Sequence, residues 1–359
     1  MAEFVRNAWY AAAWNHEVTA EKPLARTILN EPVVMFRDSA GKVIALEDRC
    51  CHRHLPLSMG RVVGDTIECG YHGLTFDGTG ACVRVPGQSR VPPGSKIGAW
   101  PVLEKYQYVW LWMGDPAKAD ERLLPDWHVM DHPDWRPVKG DPPFHIPCHY
   151  ELFNDNLLDL SHLAYVHIKN IGTTAVPDFP IVTTRGENTV RMIRWILDSP
   201  PAPLYARFGG FTENIDRWQY AEAMVPSYNT VRVGCLPAGC GAKPGDHPDD
   251  YSIPHGGRNA QGFEFWNLNA ITPETENSTW YFYAHSRNFA IDDPAMDEEF
   301  RVELRRAFQE DVDILAAQQM NIDRHAHNPK DWVDINVDGP GIALRKMVQS
   351  AIAAEAAAG

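Results

Sequence analysis

Four residues near the start of the chain are spaced to hold a metal cluster. Cys50 and His52 form a C-x-H pair, and after sixteen intervening residues Cys69 and His72 form a C-x-x-H pair. Each pair offers one thiolate and one imidazole. A two-iron, two-sulfur cluster with two cysteines on one iron and two histidines on the other needs such mixed pairs, and neutral imidazole in place of anionic thiolate makes its iron easier to reduce. A tetrahedral zinc site uses the same residue types, but zinc motifs usually keep cysteines and histidines as like pairs. The mixed order favours the cluster. Cys51, Cys82, Cys148, Cys235 and Cys240 read as bystanders, and His54 as a surface residue or one supporting the ligands from behind, rather than a ligand.

The second stretch with chemical content runs from Asn154 to His167. Asn156, Asp159 and His162 fall at three-residue steps, roughly on one helical face, and Asn156 and Asp159 are carried as candidate catalytic residues beside a histidine. His167 lies five residues after His162, which on a regular helix turns it about 140° away. Either the helix widens into a π-type turn or it ends before His167. Two histidines and one carboxylate on one face of an iron leave positions open for oxygen and substrate. The carboxylate must come from elsewhere, and a long helix near the C-terminus offers Glu310, Asp311 and Asp313. Its apolar stripe runs Met296, Phe300, Leu304, Phe308, Val312, Leu315. Asp311 falls within that stripe and Asp313 roughly opposite it. A carboxylate on a buried face is costly unless paired or bound to metal. Asp311 is therefore the third candidate ligand beside His162 and His167, and Asp313 a solvated charge. The competing reading keeps both histidines as structural residues. An electron-transfer domain fused to a larger one argues against that, because it implies something to reduce.

These residues need rigid elements to position them. The first third reads as short antiparallel strands: Pro32–Arg37 and Val43–Glu47 as a hairpin, then Thr66–Glu68, Leu74–Phe76, Ala81–Val85 and Tyr108–Met113. A Pro-, Asp- and Trp-rich segment follows, a packed connection between domains. Beyond it a helix is expected over 150–166. Strands are expected at 190–197, 217–223, 230–233, 264–271 and 278–285, and helices over 294–321 and 341–354. The expected class is α+β, a long helix over an antiparallel sheet. The expected domains are 1–115, a connecting segment 116–147, and 148–359.

Composition bounds the rest. The net charge of −14 argues against nucleic acid and anionic membrane as partners. Residues 1–20 lack a signal-peptide pattern, and no apolar run is long enough to span a bilayer. Seven irregularly spaced cysteines do not suggest a disulfide framework, so the expected compartment is the cytoplasm.

The sequence resembles the Rieske non-haem iron aromatic-ring oxygenases, in particular the oxygenase components of the vanillate O-demethylase and toluenesulfonate methyl-monooxygenase branch. The resemblance is carried by Asn7-Ala8-Trp9-Tyr10, Cys50-Cys51-His52-Arg53, Cys69-Gly70-Tyr71-His72-Gly73-Leu74, Val85-Pro86-Gly87-Gln88, Asp155-Asn156-Leu157-Leu158-Asp159, Ile271-Thr272-Pro273-Glu274-Thr275 and Ser286-Arg287-Asn288-Phe289. It implies a [2Fe–2S] cluster on Cys50, His52, Cys69 and His72, and a catalytic Fe(II) on His162, His167 and Asp311. It implies an N-terminal antiparallel β Rieske domain followed by a helix-grip (START/Bet v 1-like) catalytic domain. It further implies a head-to-tail homotrimer in which Asp159 bridges His162 to His72 of a neighbouring subunit, a role suited to a carboxylate that fixes two ligating imidazoles. Gly70 departs from the proline common in the wider family, a change expected to alter loop stiffness rather than ligation.

The implied activity is that of a terminal oxygenase. It takes O2, and electrons from a separate NADH-dependent flavin and iron–sulfur reductase, to hydroxylate a substituent of an aromatic small-molecule acid. O-demethylation of a methoxybenzoate with release of formaldehyde is the leading expectation. Aryl-methyl hydroxylation and ring dihydroxylation share the metal ligands, and a Rieske electron carrier without oxygenase activity is a different class. Candidate pocket residues are Asn229, Asn267 and Asn269, with Arg287 as an anion partner. For all four, ordinary sheet or turn hydrogen bonding is the stronger expectation.

Overall fold

A computed structural model describes residues 4–253, 261–328 and 332–358. The chain divides into two compact units. One runs through Leu124 and takes in Thr272–Thr275; the other holds Pro125–Ile271 and Glu276–Ala354.

The first unit is built from short antiparallel strands in three sheets. Trp9–Trp14 (β1), Val102–Lys105 (β9) and Tyr108–Trp112 (β10) form one, in the order β1-β10-β9. Leu24–Ile28 (β2), Glu31–Arg37 (β3) and Val43–Glu47 (β4) form the second. Arg61–Val63 (β5), Thr66–Glu68 (β6), Thr75–Phe76 (β7) and Cys82–Arg84 (β8) form the third. β1 and β10 are buried along their whole length, which explains why WYAAAW and YVWLW show no polar alternation. The β3–β4 turn is closed by Asp38, whose carboxylate accepts the N–H groups of Ala40 and Lys42. The expected hairpin and strands are all present, within a residue or two at each end.

The second unit is one antiparallel sheet under helices. Its strands are Arg136–Lys139 (β11), Phe144–Ile146 (β12), Val182–Arg185 (β13), Thr189–Ser199 (β14), Ile215–Met224 (β15), Tyr228–Pro237 (β16), Phe263–Thr275 (β17) and Ser278–Arg287 (β18). The order is β11-β18-β17-β16-β15-β14-β13, with β12 also on β18. The segment read as a connection thus contributes two strands. Their pairing with β18 supplies the hydrogen bonds that its weak periodicity did not announce.

Four helices complete the described residues: Tyr150–Leu158 (α1), Pro203–Gly209 (α2), Pro294–Arg324 (α3) and Gly339–Ala358 (α4). α3 starts where Asp293 caps the Ala295 N–H and Pro294 occupies the first turn. Its buried stripe holds Met296, Phe300, Leu304, Phe308, Asp311, Val312 and Leu315. Phe300 meets Phe265 of β17 edge-on at 5.1 Å, and Phe308 meets Tyr283 of β18 at 4.8 Å. This is the expected helix-grip arrangement, a long helix against an antiparallel sheet. None of the helices is long and apolar enough to cross a membrane.

Two helices differ from expectation. α2 falls where no element is expected. α1 stops at Leu158 instead of continuing to Val166, because Asp159 leaves helical geometry (φ −110°, ψ 92°). Its carboxylate accepts the Ser161 N–H and starts a separate 3-10 turn, Leu160–Ala164.

Candidate active site

In the first unit, two loops repeat one backbone pattern. The Cys50 N–H donates to the Leu55 carbonyl while the His54 N–H returns to the Cys50 carbonyl. The Cys69 N–H donates to Leu74 while the Gly73 N–H returns to Cys69. The fifth residue of each loop is left-handed, Gly73 at φ 70° and His54 at φ 59°. His54, which the sequence left as a surface or supporting residue, has this conformational role. Both cysteine side chains are buried among Val34, Phe36, Leu57, Ile67 and Phe76, whereas His52 and His72 are exposed, their rings 4.6 Å apart. Burial pushes the Cys50 thiol up to about 11, opposed by the His52 backbone N–H and reinforced by the adjacent Cys69. A thiol in that setting ionises when a metal takes the place of its proton. Gly70 is fixed by space: a Cβ there would sit 2.7 Å from the Met59 carbonyl oxygen. The glycine therefore fits a close backbone approach, which goes beyond the expected change in stiffness.

In the second unit, the break at Asp159 resolves the angular problem of His162 and His167. His162 rides on the 3-10 turn and His167 follows it, which brings the rings to 5.2 Å. The chain then folds back tightly. The His167 carbonyl accepts N–H groups from Asn170, Ile171 and Gly172, and a Cβ on Gly172 would lie 1.7 Å from the Leu163 carbonyl oxygen.

Asp311 projects from the buried face of α3 between the two rings. Its Oδ1 lies 3.1 Å from His167 Nε2 and 3.5 Å from His162 Nε2. One donor atom from each of the three residues falls within 4.8 Å of the others. The far ring nitrogens are also engaged. His167 Nδ1 is 2.7 Å from Glu310 Oε2, and His162 Nδ1 bonds the Asp159 backbone carbonyl. Acceptors at both Nδ1 atoms fix the two rings and turn both Nε2 atoms inward, where each offers a lone pair once a metal takes the place of its proton. Asn156 donates from Nδ2 to Asp311 Oδ1 at 3.0 Å and orients the carboxylate. Burial alone would lower His167, but Asp311 and then Glu310 outweigh it and leave its pKa raised. Burial and the neighbouring His167 lower His162, against the opposing pull of Asp311.

The triad lies at the wall of a cavity with about 600 Å³ of empty space, its open mouth included. Apolar residues dominate the lining, among them Leu157, Leu160, Val231, Val233, Phe265 and Phe308. Asn156, Arg217, Gln219 and Asn267 interrupt them.

Residues 8–102 match the Rieske [2Fe-2S] domain, and residues 146–354 match the vanillate O-demethylase oxygenase C-terminal domain. The chain belongs to the Rieske oxygenases. It is 39% identical to the iron–sulfur subunit of the toluene-4-sulfonate monooxygenase system of Comamonas testosteroni, over 88% of each chain. It is 36% identical to a vanillate O-demethylase oxygenase subunit from Pseudomonas sp. (strain HR199 / DSM 7063), over 98% of this chain and 96% of that one. Dicamba monooxygenase bound to 3,6-dichlorosalicylic acid superposes with a TM-score of 0.89 at 34% identity, over 99% of both chains. The same enzyme has been solved with non-haem iron and dicamba.

This Rieske oxygenase is an oxidoreductase of the monooxygenase type, with a Rieske [2Fe–2S] domain and a helix-grip catalytic domain. Its donor sets fit both metal groups. Two buried adjacent thiols and two adjacent imidazoles suit the cluster. Two inward Nε2 atoms with one carboxylate, facing a cavity, suit a mononuclear iron with open positions. Asp313, as expected, is exposed and bonded to Gln309.

The other candidates divide between the cavity and the sheet. The Asp159 carboxylate caps the 3-10 turn, and it is the Asp159 main-chain carbonyl that reaches His162; this departs from the expected side-chain contact, because the chain turns out of its helix at that residue. Asn267 lines the cavity and accepts from His285 through Oδ1. Asn269 is spent inside the sheet, donating to the Asn229 and Asn267 carbonyls and accepting the Tyr281 hydroxyl. Asn229 is wholly buried on β16 and absent from the cavity lining. Arg287 is also absent from it. Asp297, 2.6 Å away, and the carbonyls of Phe289, Ala290 and Asp293 consume its donors, so it is a structural residue and not an anion partner. Sequence reasoning offered Glu310 only as a rival to Asp311 and missed its bond to His167 Nδ1, and it missed Arg217 and Gln219, which alternate on a segment read only as a strand.

Proposed function

We propose that Cys50, His52, Cys69 and His72 hold the cluster, and that His162, His167 and Asp311 hold a ferrous ion. The proposed reaction is hydroxylation of a substituent of an aromatic acid, with O-demethylation of a methoxybenzoate as the leading case. The observation that carries this reading is the convergence of two Nε2 atoms and Asp311 on one point at the wall of a mainly apolar cavity. When bound, the two groups supply electrons and activate dioxygen. Asn156 and Glu310 orient Asp311 and His167. The Leu, Val and Phe side chains of the cavity hold an aromatic ring and limit water. A methoxy carbon that gains a hydroxyl becomes a hemiacetal and collapses to a phenol and formaldehyde. A hydroxylated aryl methyl persists as a benzylic alcohol. The identity to the toluene-4-sulfonate subunit supports that second outcome as the runner-up.

The electron donor in this reading is a separate NADH-dependent flavin and iron–sulfur reductase, and the compartment is the cytoplasm. The assembly is a head-to-tail homotrimer in which His72 of one copy approaches Asp159 of the next. Support comes from the exposed edges. His52 and His72 face outward, and Asp159 lines a surface recess with Trp332, Val333 and Ile335, which are 52%, 89% and 64% exposed. Apolar side chains left in water beside a recess favour a protein partner.

The test is a panel of methoxybenzoates, toluenesulfonates and phthalates with a generic reductase and NADH. Formaldehyde released from a methoxybenzoate in step with NADH use is the expected result. A benzylic alcohol from toluene-4-sulfonate without formaldehyde selects the second reading. A fully metallated protein that converts none of them overturns both.

A further inference from the structure

We propose that Arg217 and Gln219 form an anion subsite that takes the oxyanion of the aromatic substrate, a carboxylate or sulfonate. This deepens the reading above and rests on it for the cavity being the substrate site.

The two residues alternate on β15, so both side chains leave the same face of the sheet, and both line the cavity. Trp218 between them points the other way, into the cluster of Trp195 and Tyr220. Arg217 is 1% exposed. It donates from Nη1 to the Ile171 carbonyl and from Nη2 to Thr173 Oγ1, and its Nε–H has no hydrogen-bond partner. Among the described residues no carboxylate pairs with it; the Tyr205 ring, 5.4 Å away, is its aromatic neighbour. Arg287 is paired with Asp297, and Arg232 with Glu264 and Asp249. Arg194 has no hydrogen-bonded carboxylate, but all its nitrogens are spent, on Phe179, Gln219 and Ser161. Arg217 alone of the four combines a missing countercharge with a nitrogen that makes no hydrogen bond.

Gln219 is oriented by Arg194. A guanidinium only donates, so the group it meets at 3.1 Å is the Gln219 carbonyl oxygen. The amide N–H groups are then the polar end left for the cavity. Among the described residues Asp311 is the one carboxylate in the lining, and it is committed to the triad. A buried cation without a countercharge is costly, and a substrate oxyanion placed between these donors supplies that charge. Burial also lowers the Arg217 pKa, against weaker opposing effects of Tyr205 and Cys235.

The test measures binding to the fully metallated oxygenase without reductase, so that no turnover occurs. Isothermal titration compares 4-methoxybenzoate with 4-methoxybenzamide, and toluene-4-sulfonate with toluene-4-sulfonamide. In the parent protein at least one acid is expected to bind roughly 10- to 100-fold more tightly than its neutral counterpart. Arg217→Met removes the charge, and Gln219→Glu fills the subsite with a like charge while leaving the bonds of Arg217 to Ile171 and Thr173 in place. Either change is expected to abolish the preference with little effect on the amides. Gln219→Glu decides the matter if Arg217→Met does not fold. No preference in the parent protein, a preference that survives both changes, or equal weakening of acid and amide overturns the proposal. An acid held through Arg217 that yields no product would instead count against the proposed reaction and leave the subsite standing.

Discussion

Asp311 and Glu310 grip the same imidazole from opposite sides, one with the atom that would also meet a metal and one with an oxygen that never could. Their substitutions should therefore part company. Asp311→Ala is expected to remove the mononuclear metal and keep the cluster, so that iron falls from about three to about two per chain while the visible spectrum persists. Retention of the third iron with activity would refute the assignment. Glu310→Ala leaves His167 Nδ1 without its acceptor and should weaken iron binding about 10- to 100-fold, with Glu310→Gln intermediate, as titrated on metal-stripped protein. At this scale the sequence was informative wherever a residue type is rare in its setting. A carboxylate within an apolar stripe marked Asp311. Arg287 and Arg217 are alike in type, strand context and burial, and only their neighbours in space separate the structural cation from the one facing the cavity.

The 3-10 turn and the fold-back that follow α1 are where backbone geometry makes the site. Leucines continue past Leu158 at helical spacing, so periodicity alone extends the helix; the interruption comes from Asp159, whose carboxylate competes for the Ser161 N–H. Strands were easier to read than this break because β-branched and aromatic runs have few alternatives between turn residues. Gly172→Ala tests the fold-back. With its Cβ 1.7 Å from the Leu163 carbonyl, the variant is expected to lose about 2 kcal/mol or more of stability and its mononuclear iron, read by thermal melting and metal analysis. β18 gives a pH prediction. Burial lowers the His285 pKa to about 3, whereas the unfolded chain titrates near 6.5. The neutral ring is the folded form, so its contribution is intact above about pH 6.5. Stability then falls by up to ~1.4 kcal/mol per pH unit as pH drops toward 3. His285→Gln should flatten the melting temperature between pH 6.5 and 4; an unchanged slope would assign the acid sensitivity elsewhere.

For the whole molecule, the metal motifs indicated two centres, but a single sequence carries no direct record of how copies associate. The exposed histidines and the apolar residues beside Asp159 are surface facts that only folding brings out. A trimer predicts a particle of three times 40.4 kDa by light scattering. Asp159→Asn should leave both metals and that mass unchanged while slowing turnover severely, measured as single-turnover product formation after chemical reduction. Loss of the cluster in this variant would make Asp159 a structural residue.

A rod as long as α3 can in principle roll about its own axis over a smooth sheet. Successive residues on it diverge by about 100°, and the His167 ring spans that wedge between Glu310 and Asp311. Two bearings on one imidazole remove the rolling freedom. Leu304 and Phe308 sit on the same rod and line the cavity, so the azimuth that seats the metal also sets the shape of the room beside it.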